Sequence, residues 1–262
     1  MDKNTAEKRA KLKLLLALEK KTQQEMRDAL EKAYKMSADF IAENGYFSEQ
    51  GGYYAVLKFQ QILARHYRRV ETVFARRALI KFAEIVGGKL EKKSFLDKVT
   101  IKIPVRYANA FNEFITSVSL LKARKIAETT IEDIRDIIKD RQEEGSSYED
   151  IARDIMGVAP ALSSHRAATI AITETHTASM FAENTMTNML AEDYEVDLLK
   201  TWLSAEDGRT RPAHSAANNQ TVPMDGRFKV GGEMMEYPGD PRASLKNTIR
   251  CRCVQTYKMQ DD

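Results

Sequence analysis

The chain has 262 residues, 43% hydrophobic and 30% charged, enough apolar sequence to bury a core and too much for wholesale disorder. Mean hydropathy is −0.47, no apolar run approaches the roughly 20 residues of a membrane helix, and two cysteines exclude a disulfide scaffold. The net charge of +3 conceals an asymmetry: residues 1–100 hold 21 Lys and Arg against 13 Asp and Glu (+8), residues 101–200 hold 11 against 17 (−6), and the remainder nets +1. A basic N-terminal part beside an acidic middle suits a nucleic-acid contact or charge-matched assembly, and equally suits solvated helix faces.

The early cluster Leu14 to Leu18 is short, flanked by lysines and followed by no small-residue cleavage site, so no secretory leader is expected. A soluble chain made in reducing cytoplasm is the expectation. Of 18 Gly and Pro residues, nine lie in the first 200 positions and nine in the last 62. Because these residues cost about 1 and 3 kcal/mol inside a helix, the first part reads as helical and the last as turns, loops and short strands.

In chain order, residues 4–43 predict one long helix or two in series, stopped at Gly45. Gly51-Gly52 marks a loop, and a second helix is predicted from Tyr54 to Val86. The alternating run 98–104 reads as a short strand. Helical spacing returns from Ala108 to Glu144, with Ile126, Ile131, Ile134 and Ile138 as an apolar stripe closed by Gly145. Ser146 to Glu149 fits a capping box. It would open a short amphipathic helix ending at Gly157, and Pro160 would start another running to Ala191. Lys200–Leu203, Arg227–Val230 and Thr248–Tyr257 are strand candidates. The expected fold is mainly α with a small α+β C-terminal domain: a basic N-terminal helical region (1–105), a central helical region (106–198) and a strand- and loop-rich module (199–262).

Three constellations carry chemistry. Arg65, Arg68, Arg69, Arg76 and Arg77 give the helix 58–81 a basic face able to meet phosphates or the acidic side chains of a partner. Glu174 and His176, two residues apart, point away from each other on a helix and read as packed or hydrogen-bonded residues. In the C-terminal module, Trp202 precedes Asp207, Arg209, Arg211 and His214, followed by Pro238-Gly-Asp-Pro241 and Cys251-Arg-Cys253. His214, Cys251 and Cys253 are three zinc-type ligands of the four a closed structural site takes; Asp207 could supply the fourth, though no spacing rule supports it and the separation matches no standard zinc-finger pattern. Two cysteines in one strand would face opposite sides, which opposes joint ligation unless the strand bends. Otherwise Asp207 and His214 anchor a loop while the cysteines pack.

Taken in order, these C-terminal pieces resemble the phage Mu F-like minor head protein family over about residues 110–257. The resemblance includes the Gln220-to-Phe228 hairpin-like stretch, and Arg166 to Glu174, which is similar to the family's helix but has Ile172 where an arginine usually stands. It implies a protein of head morphogenesis, in the virion and assembled in the host cytoplasm. Its implied partners are the portal protein, the major capsid or scaffolding protein, and phage DNA, with no membrane. Some relatives carry Cys-x-x-Cys where this chain has Arg211 and His214, which implies a zinc-stabilised fold. Here Arg211 leaves that site incomplete, so a salt bridge or hydrogen bond would hold the loop instead. Trp202, Asp207, Arg209, Arg211, His214 and Asp240 are then a structural clasp. With Asp262 five residues past the resembling block, no appended toxin enzyme is expected. No catalytic role and no obligatory cofactor are expected, structural zinc remaining an option. The alternatives are a non-specific DNA-binding module using 58–81, and a metal-dependent hydrolase or nuclease, which the scarcity of acidic ligands disfavours.

Overall fold

A computed structural model describes residues 3–87 and 104–260. Four long helices come first: α1 (Lys3–Asn44), α2 (Gln50–Val86), α3 (Val105–Glu143) and α4 (Tyr148–Asp193). Each is long because buried side chains recur every three or four residues along it. In α2 the rhythm is Phe59, Leu63, Tyr67, Val70, Phe74, Ala78 and Phe82, all buried. No helix is long and apolar enough to cross a membrane, among the described residues. The strand read at 98–104 lies outside the described residues, apart from Pro104.

The helix ends differ from the sequence expectation in instructive ways. Gly51 and Gly52 fall inside the first turn of α2 rather than in a loop. A β-carbon at Gly52 would sit 2.2 Å from Ile131 Cδ1, so this glycine permits a close approach. The closure of α3 is a Schellman turn: Gly145 has φ +76°, the Ser146 N–H bonds Arg141 O and the Gly145 N–H bonds Gln142 O. Ser146 is thereby used to end α3, and the cap of α4 moves one residue on. Ser147 Oγ accepts the Asp150 N–H at 3.2 Å. The short helix and its successor are one continuous α4, with Gly157 and Pro160 inside it. Pro160 and Met156, whose carbonyl loses its donor, are both exposed, where water can substitute. Ile151, Ile155 and Ala159 on the opposite face are buried, each large apolar side chain contributing about 1.5–3 kcal/mol.

After α4 come β1 (Leu198–Leu203), α5 (Pro212–Ala216), β2 (Thr221–Pro223), β3 (Phe228–Val230), β4 (Glu233–Met235), α6 (Leu245–Thr248) and β5 (Val254–Met259). One antiparallel sheet has the order β2-β1-β5, and β3 pairs with β4 in a second. The hairpin therefore lies at 228–235, turning at Gly231-Gly232, and not at 220–228. Gln220 contributes a strand-like link instead: its side-chain amide donates to Lys229 O and accepts the Lys229 N–H. The mainly α architecture with a small strand-bearing C-terminal region is as the sequence predicts.

Contacts gather the chain into two units, each discontinuous in sequence: residues 1–18, 67–113 and 172–262, and residues 19–66 and 114–171. In the second unit, Tyr34, Ala38, Ile41, Ile134, Ile151 and Ile155 form a core, edged by a Tyr34–Asp133–Arg166 network. In the first, residues 172–193 of α4 are buried on nearly every side, and several of their polar groups find buried partners. Tyr67 donates to Glu174 at 2.6 Å, Thr177 donates to Gly239 O, and Gln255 donates to Asn184. Lys11, fully buried, ion-pairs with Glu183 at 2.8 Å and donates to Gln255 O. Burial holds the Glu183 carboxyl above its ordinary range, against the pull of Lys11.

Removing one member of a buried pair strands the other's charge, at about 3–5 kcal/mol. Lys11→Met is expected to lower stability to urea by that amount, and the double variant K11M/E183L to recover most of it. Equal losses in the single and double variants would refute the pair.

Candidate functional site

The C-terminal core forms around Trp202, which β1 presents on the same face as Leu198 and Lys200. Trp202, Phe228, Val230, Met235, Cys251 and Cys253 pack into one cluster. The Trp202 ring meets His214 edge-on with centroids 5.7 Å apart. Pro212 pre-sets the first turn of α5, and that turn carries His214 inward to 2% exposure.

The cysteines do not sit in a strand. Residues 251–253 are irregular, and β5 starts only at Val254. Arg250 adopts φ +52°, left-handed for a non-glycine residue, with its N–H on Thr173 Oγ1 at 3.0 Å. That bend removes the strand alternation that would have turned Cys251 and Cys253 apart. Both thiols consequently approach the same ring: His214 Nδ1 lies 3.3 Å from Cys253 Sγ and 3.7 Å from Cys251 Sγ. The Cys251 thiol and His214 favour a Cys253 thiolate, pulling that group down while Cys251 is pushed up.

His214, Cys251 and Cys253 supply three of the four donors of a structural zinc site. The three ligand atoms lie within 4.8 Å of one another, all on buried residues. Tetrahedral zinc with bonds of about 2.0–2.3 Å needs ligand edges of about 3.5 Å. Asp207 does not join the cluster. Its Oδ1 accepts the Arg209 N–H and the Thr210 hydroxyl, closing its own loop. Arg211 straps a different segment, its guanidinium donating to Ile249 O. Arg209 is exposed, 3.7 Å from Asp207.

Asp240 serves a separate network. Its buried carboxylate accepts the Glu236 and Arg242 N–H groups, and the Arg242 side chain clasps it through Nε and Nη2 at 2.9 and 2.8 Å. Burial alone would push this carboxyl up; the bonds from Arg242 and the Glu236 N–H outweigh it and hold it below the ordinary range. Gly239, at φ +79°, lies against His176, where a β-carbon would come within 2.4 Å of Nδ1. His176 Nε2 donates to Cys253 O at 2.6 Å, and burial pulls this histidine down to about 4, so it stays neutral. Sequence reasoning missed Arg242, Arg250 and Glu233. Glu233 accepts from the Ser244 N–H and Asn247, capping α6 from the hairpin. Only the Asp240-x-Arg242 spacing hinted at the first.

The basic residues of α2 divide. Arg65, Arg68 and Arg76 are exposed, while Arg69 and Arg77 are half-buried. Arg65 lies 3.9 Å from Glu25 and Arg77 3.8 Å from Glu7. His66 is buried, bonded to Thr22 Oγ1.

The bonds from Ser244 and Asn247 lower Glu233 to about 2. Its contribution to stability is therefore full above the ordinary glutamate range and lost as pH falls toward that value. Glu233→Gln is expected to flatten this part of the acid limb in melts followed against pH; an unchanged acid limb would show that the cap is not formed.

Residues 132–256 match the family described as Phage Mu protein F like protein. No curated protein and no solved structure matches the chain.

Proposed function

Because residues 132–256 match the phage Mu F-like family, we propose that the chain is a minor head protein acting in head morphogenesis. The match supports a phage head-related protein. The finer reading is a virion component, assembled in the host cytoplasm and docked at the portal vertex or inner capsid. The portal protein, with major capsid or scaffolding protein, is the partner. The family match carries this reading, and the C-terminal clasp supports it. Asp207, Arg211, Asp240 and Arg242 are engaged in holding loops, as a structural rather than catalytic module requires.

The cofactor in this reading is one structural zinc held by His214, Cys251 and Cys253, whose mutual distances fit it. Zinc supplies a fixed crosslink there, and its binding free energy adds to folding free energy. A second reading, non-specific DNA contact through α2, has in its favour the exposure of Arg68 and Arg76.

Purified chain is expected to capture the portal protein encoded beside its gene at both low and high salt, since packed helices resist screening. No capture at either salt, with retention on DNA at low salt, would transfer the role to α2. Metal analysis is expected to find about one zinc per chain, and Cys253→Ser to release it with a lower Tm. Metal-free protein whose Tm is insensitive to chelator would remove the zinc.

A further inference from the structure

A cavity of about 340 Å³ opens beside the His214–Cys251–Cys253 cluster, within the range of small-ligand pockets. Its lining is unusual in charge. Arg209 and Arg211 enter from the loop before α5, and Arg250 and Arg252 from the bend before β5. Among the described lining residues the carboxylate is Asp207, already committed to Arg209 N–H and Thr210. Even with a Cys253 thiolate the lining stays net positive, and a zinc bound by two thiolates and a neutral imidazole would add no negative charge. Like charges gathered at one site repel unless an anion joins them.

We propose that this cavity binds a phosphate group, in the first place one of a nucleic-acid backbone. The guanidinium forks come from two separate loops. A planar carboxylate uses one or two such forks, whereas a tetrahedral phosphate presents oxygens in several directions and takes more. A second observation is the backbone of Arg250. Its left-handed φ of +52° is held by Thr173 and places residues 250 and 252 at the cavity. Strain of this kind persists where the surrounding structure enforces it, and clusters at ligand clamps. Arg209 and Arg250 are exposed at the mouth, accessible to a chain passing over the surface. Ile172 supplies an apolar wall. The inference rests on this cavity and not on the head-assembly reading, which the portal capture tests separately.

The test uses the full chain, a labelled short DNA duplex, dAMP, inorganic phosphate and polyglutamate as probes. The variant is R209Q/R250G. Glycine at position 250 relieves the left-handed strain while removing the guanidinium, so the fold is expected to hold in a thermal melt. Duplex affinity is expected to fall about tenfold or more in this variant, and the salt slope to shrink by about one to two, one for each phosphate no longer neutralised. If dAMP or inorganic phosphate loses binding while the duplex does not, the site still takes phosphate, and the source is a small molecule. Polyglutamate as the one probe weakened by the variant would overturn the proposal in favour of an acidic protein segment. Duplex binding abolished in R68Q/R76Q but unchanged in R209Q/R250G, with no effect on the small phosphates, would also overturn it. So would the absence of any change with any probe.

Discussion

The C-terminal module depends on one backbone event, the left-handed turn at Arg250. If the chain ran straight into β5, the two cysteines would alternate, one toward Trp202 and one away from it. The turn, tied to α4 through Thr173, brings both thiols to His214 and sets Arg250 and Arg252 at the neighbouring cavity. His176, also on α4, holds Cys253 O from behind. A helix buried on nearly every side thus works as a template: its polar side chains meet backbone groups that the irregular segments cannot pair among themselves.

Glu174 and His176 show how this template differs from an active site. They lie two residues apart and serve different neighbours, a tyrosine hydroxyl and a backbone carbonyl. Neither opens into the basic cavity. Asp240 likewise spends its whole carboxylate on Arg242 and two backbone donors. In such networks every lone pair matters, because an unsatisfied buried polar group costs about 1–3 kcal/mol.

Much of the helical part was legible because breaker-free sequence and three-to-four periodicity are local signals. The limits of α1, and of α3 at Gly145, follow from them. The start of α4 was misplaced by one residue, because Ser146 and Ser147 are equivalent caps until the Schellman closure takes the first. Pro160 marked a boundary by propensity alone, and burial of Ile151, Ile155 and Ala159 across the helix overrides it. In the candidate site, the composition of His214, Cys251 and Cys253 was legible but their convergence was not. It depends on a positive φ at an arginine, which no residue-type preference signals, and on a threonine 77 residues away. The partnership of Lys11 with Glu183 and Gln255 was equally hidden, since a lysine in a run of lysines reads as solvated surface.

That last pairing has a consequence for the order of biosynthesis. Lys11 and Gln255 are 244 residues apart, and at translation rates of about 5–20 residues per second their exit from the ribosome differs by roughly 10–50 s. Through that interval the first turns of α1 have none of their β5 contacts, and Glu183 joins them only late. The unit made of residues 19–66 and 114–171 has its whole sequence available much earlier. The nascent chain therefore completes its internal unit first and closes the terminal one last.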